Sequence, residues 1–277
     1  MDDVMEILFV AVIFFYILSS AAYFAHLFLQ KEILNRSGTL LLIIGFICHT
    51  ITIITVFLKT GQMPVNNLFE TLSIAGWSVA GVFLLLHFKF HLKVLGIYAA
   101  PLTACIALIA YQLPMEPTAS YSIFKSFWLV VHIVATFSGD AAFALACGTG
   151  ILYLVQEHAI KTKSHGFFYK RLPSLELLDQ TGYACIVAGF SLLTIGLITG
   201  IIYAKSVWGR FWSWDPKEVW SAITWLFYAA LLHERLAVGW RGRRAAIMAI
   251  MGFGVLLFAF LGVNFLMKGH HGQFTKL

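Results

Sequence analysis

The chain consists of long apolar runs that are separated by short polar connections. About eight membrane-spanning helices are predicted, because roughly 20 consecutive apolar residues are needed to cross the hydrocarbon core of a bilayer. Their approximate limits are 5–28, 38–58, 68–88, 93–112, 122–156, 181–204, 216–236 and 245–267. No internal repeat or low-complexity linker divides the chain, so residues 1–277 are expected to form a single all-α integral membrane domain, a helical bundle.

The composition is that of a membrane protein, with 60% hydrophobic and 12% charged residues. The formal net charge of +6 comes from Lys and Arg in the short connections, so it indicates no nucleic-acid partner and is typical of the positive-inside rule. Loops on one face hold 12 Lys and Arg residues and those on the other face hold 7. The richer face is predicted to be cytoplasmic, which puts both termini outside.

Residues 208–220, WGRFWSWDPKEVW, form a Trp-rich segment between the sixth and seventh predicted helices, on the outer face. Trp is enriched at membrane–water interfaces, so one or two Trp at a helix end are ordinary anchors. Trp208, Trp212 and Trp214 instead fall within seven residues, spaced by Gly, Arg, Phe and Ser. This spacing favours an aromatic binding surface over a plain interfacial belt.

The second half of the Trp-rich segment predicts the start of a helix. Asp215 is a favoured N-cap residue, and Pro216 is favoured at the first helical position. Glu218, three residues after the cap, completes a capping box. Asp215 is therefore interpreted as a helix cap rather than as a catalytic group.

Several of the ten histidines lie at membrane depth, where an ionisable side chain is by default a functional hypothesis. His49 lies ~16 Å from the inner end of its helix and His233 ~25 Å from the outer end, so the two could meet at mid-to-inner depth. His132 lies two to three turns from the outer end of the fifth helix, and His270 and His271 follow the last helix. One pair is thus predicted inside the bundle and a second beside the Trp-rich segment.

Paired imidazoles at these places indicate haem as the ligand. Two neutral imidazoles on opposite sides of a porphyrin are a natural axial ligand set for iron. Flat aromatic side chains suit the macrocycle, and Arg210 or Lys217 can pair with its propionates. A single buried His more often bonds a neighbouring helix, so the interpretation depends on the pairs and the Trp residues together. Asp140, two turns below His132, can orient a polar neighbour or line a cavity.

The Trp-rich segment resembles the WWD signature of haem-handling membrane proteins, and the chain resembles the CcsA/ResC family of system II cytochrome c maturation. The resemblance covers most of the chain. It extends to GFICHT, TGQMPVNNLFETLSIAGW, SFWLVVHIVATFSGDAAF, LLHERL and GVNFLMKGHHGQF. It implies that haem b is the cofactor, with Trp208, Trp212, Trp214 and Asp215 as the core of the WWD motif.

The resemblance also implies the iron ligands. His49 and His233 match the two transmembrane histidines that hold haem within the bundle, and His132 and His271 match the two external histidines. The family usually has an apolar residue before the last histidine and Ser-Tyr after it, whereas this chain reads GHHGQF. His270 therefore stays an alternative to His271.

The function implied by the resemblance is delivery of haem and its covalent attachment to the Cys-x-x-Cys-His segment of an apocytochrome c. The chain lacks the large partner that some members carry fused, so a separate ResB/CcsB-like membrane protein is expected as the other part of the haem lyase. No residue of this chain needs to be a nucleophile. The expected location is the bacterial cytoplasmic membrane, with the thylakoid membrane as an alternative, and the active face is outside. Rival interpretations are a haem exporter and a membrane b-type cytochrome in electron transfer.

Overall fold

The computed structural model describes residues 3–90, 93–114, 126–163, 166–167 and 169–266. Every regular element in these ranges is helical. The helices are α1 Asp3–Leu29, α2 Glu32–Thr60, α3 Leu68–Phe90, α4 Gly96–Tyr111, α5 Phe127–Lys161, α6 Leu175–Trp208, α7 Pro216–His233, α8 Arg243–Leu257 and α9 Val263–Leu266. A 3₁₀ turn, Lys93–Leu95, precedes α4, and π-helical turns at Glu234–Val238 and Phe258–Gly262 follow α7 and α8.

Seven of the described helices are long and apolar enough to cross a membrane, which confirms an all-α integral membrane protein. They are α1, α2, α3, α4, α5, α6 and α8, where α4 includes its 3₁₀ turn and α8 its π turn. The predicted seventh span, 216–236, is present as α7 but falls outside this group. Its first turns carry Lys217, Glu218 and Ser221, which lower its apolar character.

Several helices extend beyond their predicted limits. α2 begins at Glu32 instead of 38, and α6 begins at Leu175 instead of 181. In both cases polar turns continue the helix past the apolar run, and Ser174 caps α6 by accepting a hydrogen bond from the backbone N–H of Leu177 at 3.3 Å. The length of an apolar run measures only the part of a helix that lies in hydrocarbon. It therefore underestimates the total length of helices that continue into polar turns.

The centre of the bundle is the contact between α5 and α6, the most extensive helix pair in the described chain. A Cβ atom at Gly139 would lie 3.1 Å from the carbonyl oxygen of Gly189, so glycine allows the two backbones to approach closely. α3 and α8 also pack on α5, α1 packs on α2 and α4, and α7 packs on α6 and α8. The start of α5, the end of α6 and the start of α7 thereby lie at the same end of the bundle.

A part-buried ion pair fixes the opposite end of α7. Arg235, just after α7, donates two hydrogen bonds to the carboxylate of Asp179 on α6, at 3.0 and 2.6 Å. The same carboxylate accepts the backbone N–H of Gly242 at 2.8 Å. Paired geometry of this kind is strong and directional, so it holds the connection between α7 and α8 against α6.

Candidate functional site

A cavity of about 290 Å³ lies at the end of the bundle that carries the Trp-rich segment. Its volume is at the lower end of the range for small-molecule sites, about 300–1,000 Å³. The apolar lining residues include Leu129, Ile133, Phe137, Leu193, Leu197 and Phe260. A few polar side chains join them, among which are His132, Asp140, Lys217 and Glu218. An apolar cavity with a few placed polar groups is typical of a ligand site.

His132 is held in a defined orientation in the cavity wall. Its Nδ1–H donates to the carbonyl oxygen of Gly196 on α6 at 2.7 Å, because a carbonyl oxygen can only accept. The neutral ring then carries its lone pair on Nε2, the tautomer in which Nε2 can bind a metal. Histidines that ligate metals almost always donate the other ring N–H to such an acceptor. Gly200 makes room for the ring, since a Cβ atom there would lie 2.8 Å from Nδ1.

The Trp-rich segment forms one rim of the cavity. α6 ends at Trp208, and Gly209 terminates the helix in the left-handed region, with φ of 73°. Trp208, Phe211 and Trp212 line the cavity. Trp214 does not, and its side chain is 77% exposed.

Trp214 has an unusual backbone conformation for its residue type. Its φ is 59°, which is uncommon for a bulky residue and points to a local functional constraint. Its ring meets that of Trp212 edge-on, with centroids 5.8 Å apart. Arg210 is exposed and does not line the cavity.

The predicted capping box is present at the start of α7. Asp215 is buried and accepts the backbone N–H of Lys217 at 2.9 Å, while Glu218 accepts that of Asp215 at 3.2 Å. Glu218 also accepts the backbone N–H of Ser213 at 2.8 Å and its hydroxyl at 2.9 Å. Glu218 therefore organises the loop that carries Trp212 and Trp214. The sequence signalled its role in the cap but gave no sign of the contact with Ser213.

Lys217 places a cation in the cavity wall. It lies in the first turn of α7, outside the seven candidate spans. Burial lowers the pKa of Lys217 to about 8, and the negative charge of Asp215 offsets part of the shift. The side chain is still mostly charged at neutral pH. It can pair with an anionic group on a ligand.

The structure does not bring His49 and His233 together. The ring of His49 is fully buried, with Nδ1 3.2 Å from the hydroxyl of Tyr16 on α1 and Nε2 2.8 Å from the hydroxyl of Ser73 on α3. His233 is exposed at the end of α7, a helix that packs on α6 and α8, whereas α2 packs on α1, α3 and α4. The surroundings of His49 leave no place for a macrocycle.

The other predicted site residues separate into two groups. His132, Trp208 and Trp212 line one cavity, and Asp215 supports its rim by capping α7. Trp214 and Arg210 belong to the same loop but do not line the cavity. His270 and His271 lie outside the described residues.

The fold and the cavity define a helical membrane protein with seven candidate spans and a cavity at one end of its bundle. Residues 65–271 match the family described as "Cytochrome C assembly protein", and the chain belongs to that family. It therefore functions in cytochrome c biogenesis.

Curated relatives that bear the name "Cytochrome c biogenesis protein CcsA" cover most of the chain. One from Guillardia theta is 36% identical over 81% of this chain and 81% of its own length. Another from Pyropia yezoensis is 33% identical over 86% and 87%. A third, from Synechococcus sp. (strain JA-3-3Ab), is 31% identical over 88% and 87%. The similarity thus covers at least 81% of this chain and of each relative.

Proposed function

We propose that the protein binds haem b in the cavity beside the Trp-rich segment and presents it to an apocytochrome c. The observation that supports this most strongly is the orientation of His132. Its Nδ1–H is committed to the carbonyl of Gly196, and the ring lies in the wall of an aromatic cavity. An imidazole prepared in this way suits axial ligation of iron.

The residues of the cavity fit a porphyrin better than a bare metal ion. In the part of the chain that the structure describes, no three His, Cys, Asp or Glu side chains are grouped to hold a metal. A porphyrin supplies four nitrogen ligands itself and needs only axial ones from the protein. His132 would be one ligand, and His271, or His270 in its place, the other. Trp208 and Trp212 would flank the macrocycle, and Lys217 would pair with a propionate.

The protein's contribution is binding and orientation rather than covalent catalysis. When bound, haem supplies the vinyl groups, across which the S–H bonds of the two cysteines in a Cys-x-x-Cys-His segment add to form thioethers. Trp212 and Trp214 offer a rim at which that segment can dock, and the apolar walls keep water from the ring. Holding two reactants in a fixed geometry removes much of the entropic cost of bringing them together in the reaction step.

The proposal includes partners and a membrane. A ResB/CcsB-like membrane protein would complete the haem lyase, as the resemblance to the CcsA/ResC family implies. The membrane would be the bacterial cytoplasmic membrane, or the thylakoid membrane, with the Trp-rich segment on the outer face. The basic inner connections support this orientation through the positive-inside rule.

The inner haem site that the resemblance implies for His49 and His233 is not part of this proposal. His49 is fully buried with Tyr16 and Ser73 against its ring nitrogens, and His233 is exposed at the end of α7.

Substitution of His132 tests the proposed function. The protein would be co-expressed with a ResB-like partner and a reporter cytochrome c in a host without its own maturation system. His132→Ala is expected to abolish holocytochrome c, whereas His158→Ala, an exposed position at the far end of the same helix, should leave it unchanged. Normal holocytochrome c with His132→Ala would contradict the proposal.

The same experiment separates the rival functions. A haem exporter would deliver free haem to the outer face of cells that contain no apocytochrome c. A b-type cytochrome would retain its electron-transfer activity when Trp208 and Trp212 are changed to Leu. Loss of holocytochrome c in that double variant, with the protein still in the membrane, favours the proposed function over both.

A further inference from the structure

Asp140 is an acidic side chain in the cavity wall that makes no hydrogen bond or ion pair within the described chain. It lies on α5, one of the candidate spans, thirteen residues after Phe127, which is ~20 Å along the helix. His132 lines the same cavity two turns nearer to the start of α5. Ionisable side chains at membrane depth are rare and usually functional, so the acid of this cavity calls for a role.

Two hydroxyl groups near Asp140 also lack hydrogen-bond partners among the described residues. The Oγ1 atom of Thr136, one turn nearer to the start of α5, is buried in the cavity wall. The hydroxyl of Tyr228 on α7 is fully buried and lies within electrostatic range of the carboxyl group. Buried polar atoms without protein partners commonly mark a place for water or a ligand. The deeper end of the cavity is therefore a place where the carboxyl group can exchange a proton with water.

A carboxylate in this wall needs a compensating positive charge. An unpaired charge in a low-dielectric site is costly, and a proton or a nearby cation removes that cost. Lys217 lies eleven residues before Tyr228, which is ~16 Å along α7, and forms no ion pair with Asp140. With two neutral imidazoles and a doubly negative porphyrin, oxidised haem iron carries one net positive charge and reduced iron carries none. Occupation of the cavity would therefore expose Asp140 to a charge that depends on the redox state.

We propose that Asp140 takes up a proton when the iron of haem held by His132 is reduced, and releases it when the iron is oxidised. This inference rests on the proposed function and adds a redox-linked proton site to it. One electron from an external donor enters the iron, and one proton from water joins a carboxylate oxygen of Asp140, so the net charge of the cavity is unchanged. His132 and Asp140 are ~12 Å apart along α5. At this distance and an effective dielectric constant of ~20, a unit charge alters the proton affinity about tenfold.

The other titratable groups around Asp140 can be separated from it. They are Tyr98 on α4, His132 and Cys147 on α5, Tyr203 on α6, and Lys217, Glu218 and Tyr228 on α7. Helices α3 and α8, with the π turn after α8, add only residues without titratable groups to the cavity. Tyr and Cys titrate mostly above about pH 8 in water, and His132 is the proposed ligand. Glu218 is committed to three hydrogen bonds at the start of α7, and arginine in place of Lys217 keeps that charge constant.

The test is a redox titration of the haem-loaded protein, in which mediators and an electrode supply the electrons. The Lys217→Arg protein is the parent for every variant, and the midpoint potential is measured between about pH 5 and pH 8. In the parent the midpoint is expected to fall as the pH rises, because the proton that accompanies reduction becomes harder to obtain. A tenfold difference in proton affinity corresponds to a total fall of about 59 mV.

Asp140→Asn should remove this fall, because the amide has no proton to exchange in this range. Thr136→Val is the matched control. It changes the polarity of the same wall and removes no titratable group, so the fall should remain.

Infrared difference spectra provide a second readout that does not depend on the potential. Reduction of the parent protein should add the C=O band of a protonated carboxyl group, and Asp140→Asn should eliminate that band. Asp140→Glu keeps an acid in the cavity wall, so it should retain the band at a shifted position. It also provides a measurement if the asparagine variant does not fold.

Equal falls of the midpoint in the parent and in Asp140→Asn would overturn the inference, and so would a carboxyl band that persists in Asp140→Asn. Complete loss of the fall in Thr136→Val would do the same, because a general change of polarity would then explain both variants. A haem spectrum that His132→Ala leaves unaltered would contradict the proposed function and this inference together. When His132→Ala does alter the spectrum, the midpoints of the Asp140 variants decide this inference alone.

Discussion

His132 is positioned by two glycines one turn apart on the neighbouring helix. Gly196 accepts the Nδ1–H through its carbonyl oxygen at 2.7 Å, and Gly200 leaves the space that the ring occupies. One position therefore fixes the tautomer and the other permits the approach. Neither residue contributes a side chain, so the orientation of the imidazole depends on the backbone of α6.

Gly200→Ala should impair haem binding without removing any polar group. The added Cβ would lie 2.8 Å from Nδ1 and 2.9 Å from Cε1 of His132, so the ring must move away from Gly196. Overpacking of this kind costs about 1–3 kcal/mol, which corresponds to a loss of affinity of about fivefold to 150-fold. Haem titration of the purified variant measures the effect. Gly254→Ala is the control, because a Cβ there meets nothing within 4 Å; equal affinities for the two variants would contradict the role of Gly200.

Glu218→Gln should loosen the Trp-rich segment. The carboxylate accepts three hydrogen bonds, two from Ser213 and one from the backbone of Asp215. Glutamine keeps the shape of the side chain but replaces one acceptor oxygen with an NH₂ group, which then faces the donors of Ser213 or Asp215. The loss of a hydrogen bond there costs roughly 1–3 kcal/mol. The expected results are faster proteolysis between residues 209 and 215 and altered Trp fluorescence. Glu176→Gln, an exposed position on α6, should change neither; an equally protected loop in both variants would speak against this role for Glu218.

Features that depend on local chemistry could be predicted from the sequence. Apolar runs indicated the helices because each run must satisfy its backbone hydrogen bonds in lipid. The capping box at Asp215 was predicted correctly because its three components lie within four residues. The position of His132 beside the Trp-rich segment followed from helical rise alone.

Features that depend on which helices are neighbours could not be predicted. Membrane depth suggested that His49 and His233 meet, but depth does not say which helices pack together. The fold places Tyr16 and Ser73 against His49 instead. In the same way, Gly200 is one of 22 glycines in the sequence, and only the packing of α5 on α6 gives it a role.

Lys217 should make haem affinity depend on pH above neutrality. Its pKa of about 8 in the haem-free protein means that the side chain is charged below pH 8 and loses its proton above it. Pairing with a propionate stabilises the charged form and raises the pKa in the complex. Affinity is therefore expected to be constant below about pH 7 and to fall as the pH rises through 8.

Two substitutions and one ligand separate this effect from general alkaline damage. Lys217→Arg keeps its charge at all these pH values and should abolish the dependence, while Lys217→Met should bind weakly throughout. The dimethyl ester of haem carries no propionate charge and should show no fall in affinity with the wild-type protein. A fall of the same size for haem and its ester would exclude Lys217 as the cause.

The ion pair between Asp179 and Arg235 should stabilise the fold more than the surface pair between Lys93 and Glu32. The first pair is 14% and 10% exposed in its side chains, and the second is 47% exposed at Glu32 and 46% at Lys93. Removal of one partner from a fully buried pair costs about 3–5 kcal/mol and exposed pairs contribute about 0–1 kcal/mol, so the part-buried pair should fall between these limits. Asp179→Asn should therefore lower the thermal midpoint in detergent well below that of Glu32→Gln. Asp179 also accepts the N–H of Gly242, so its loss should release the end of α7 that carries His233 and weaken haem binding at the end that carries Lys217. Equal midpoints for the two variants would show that α7 does not depend on this anchor.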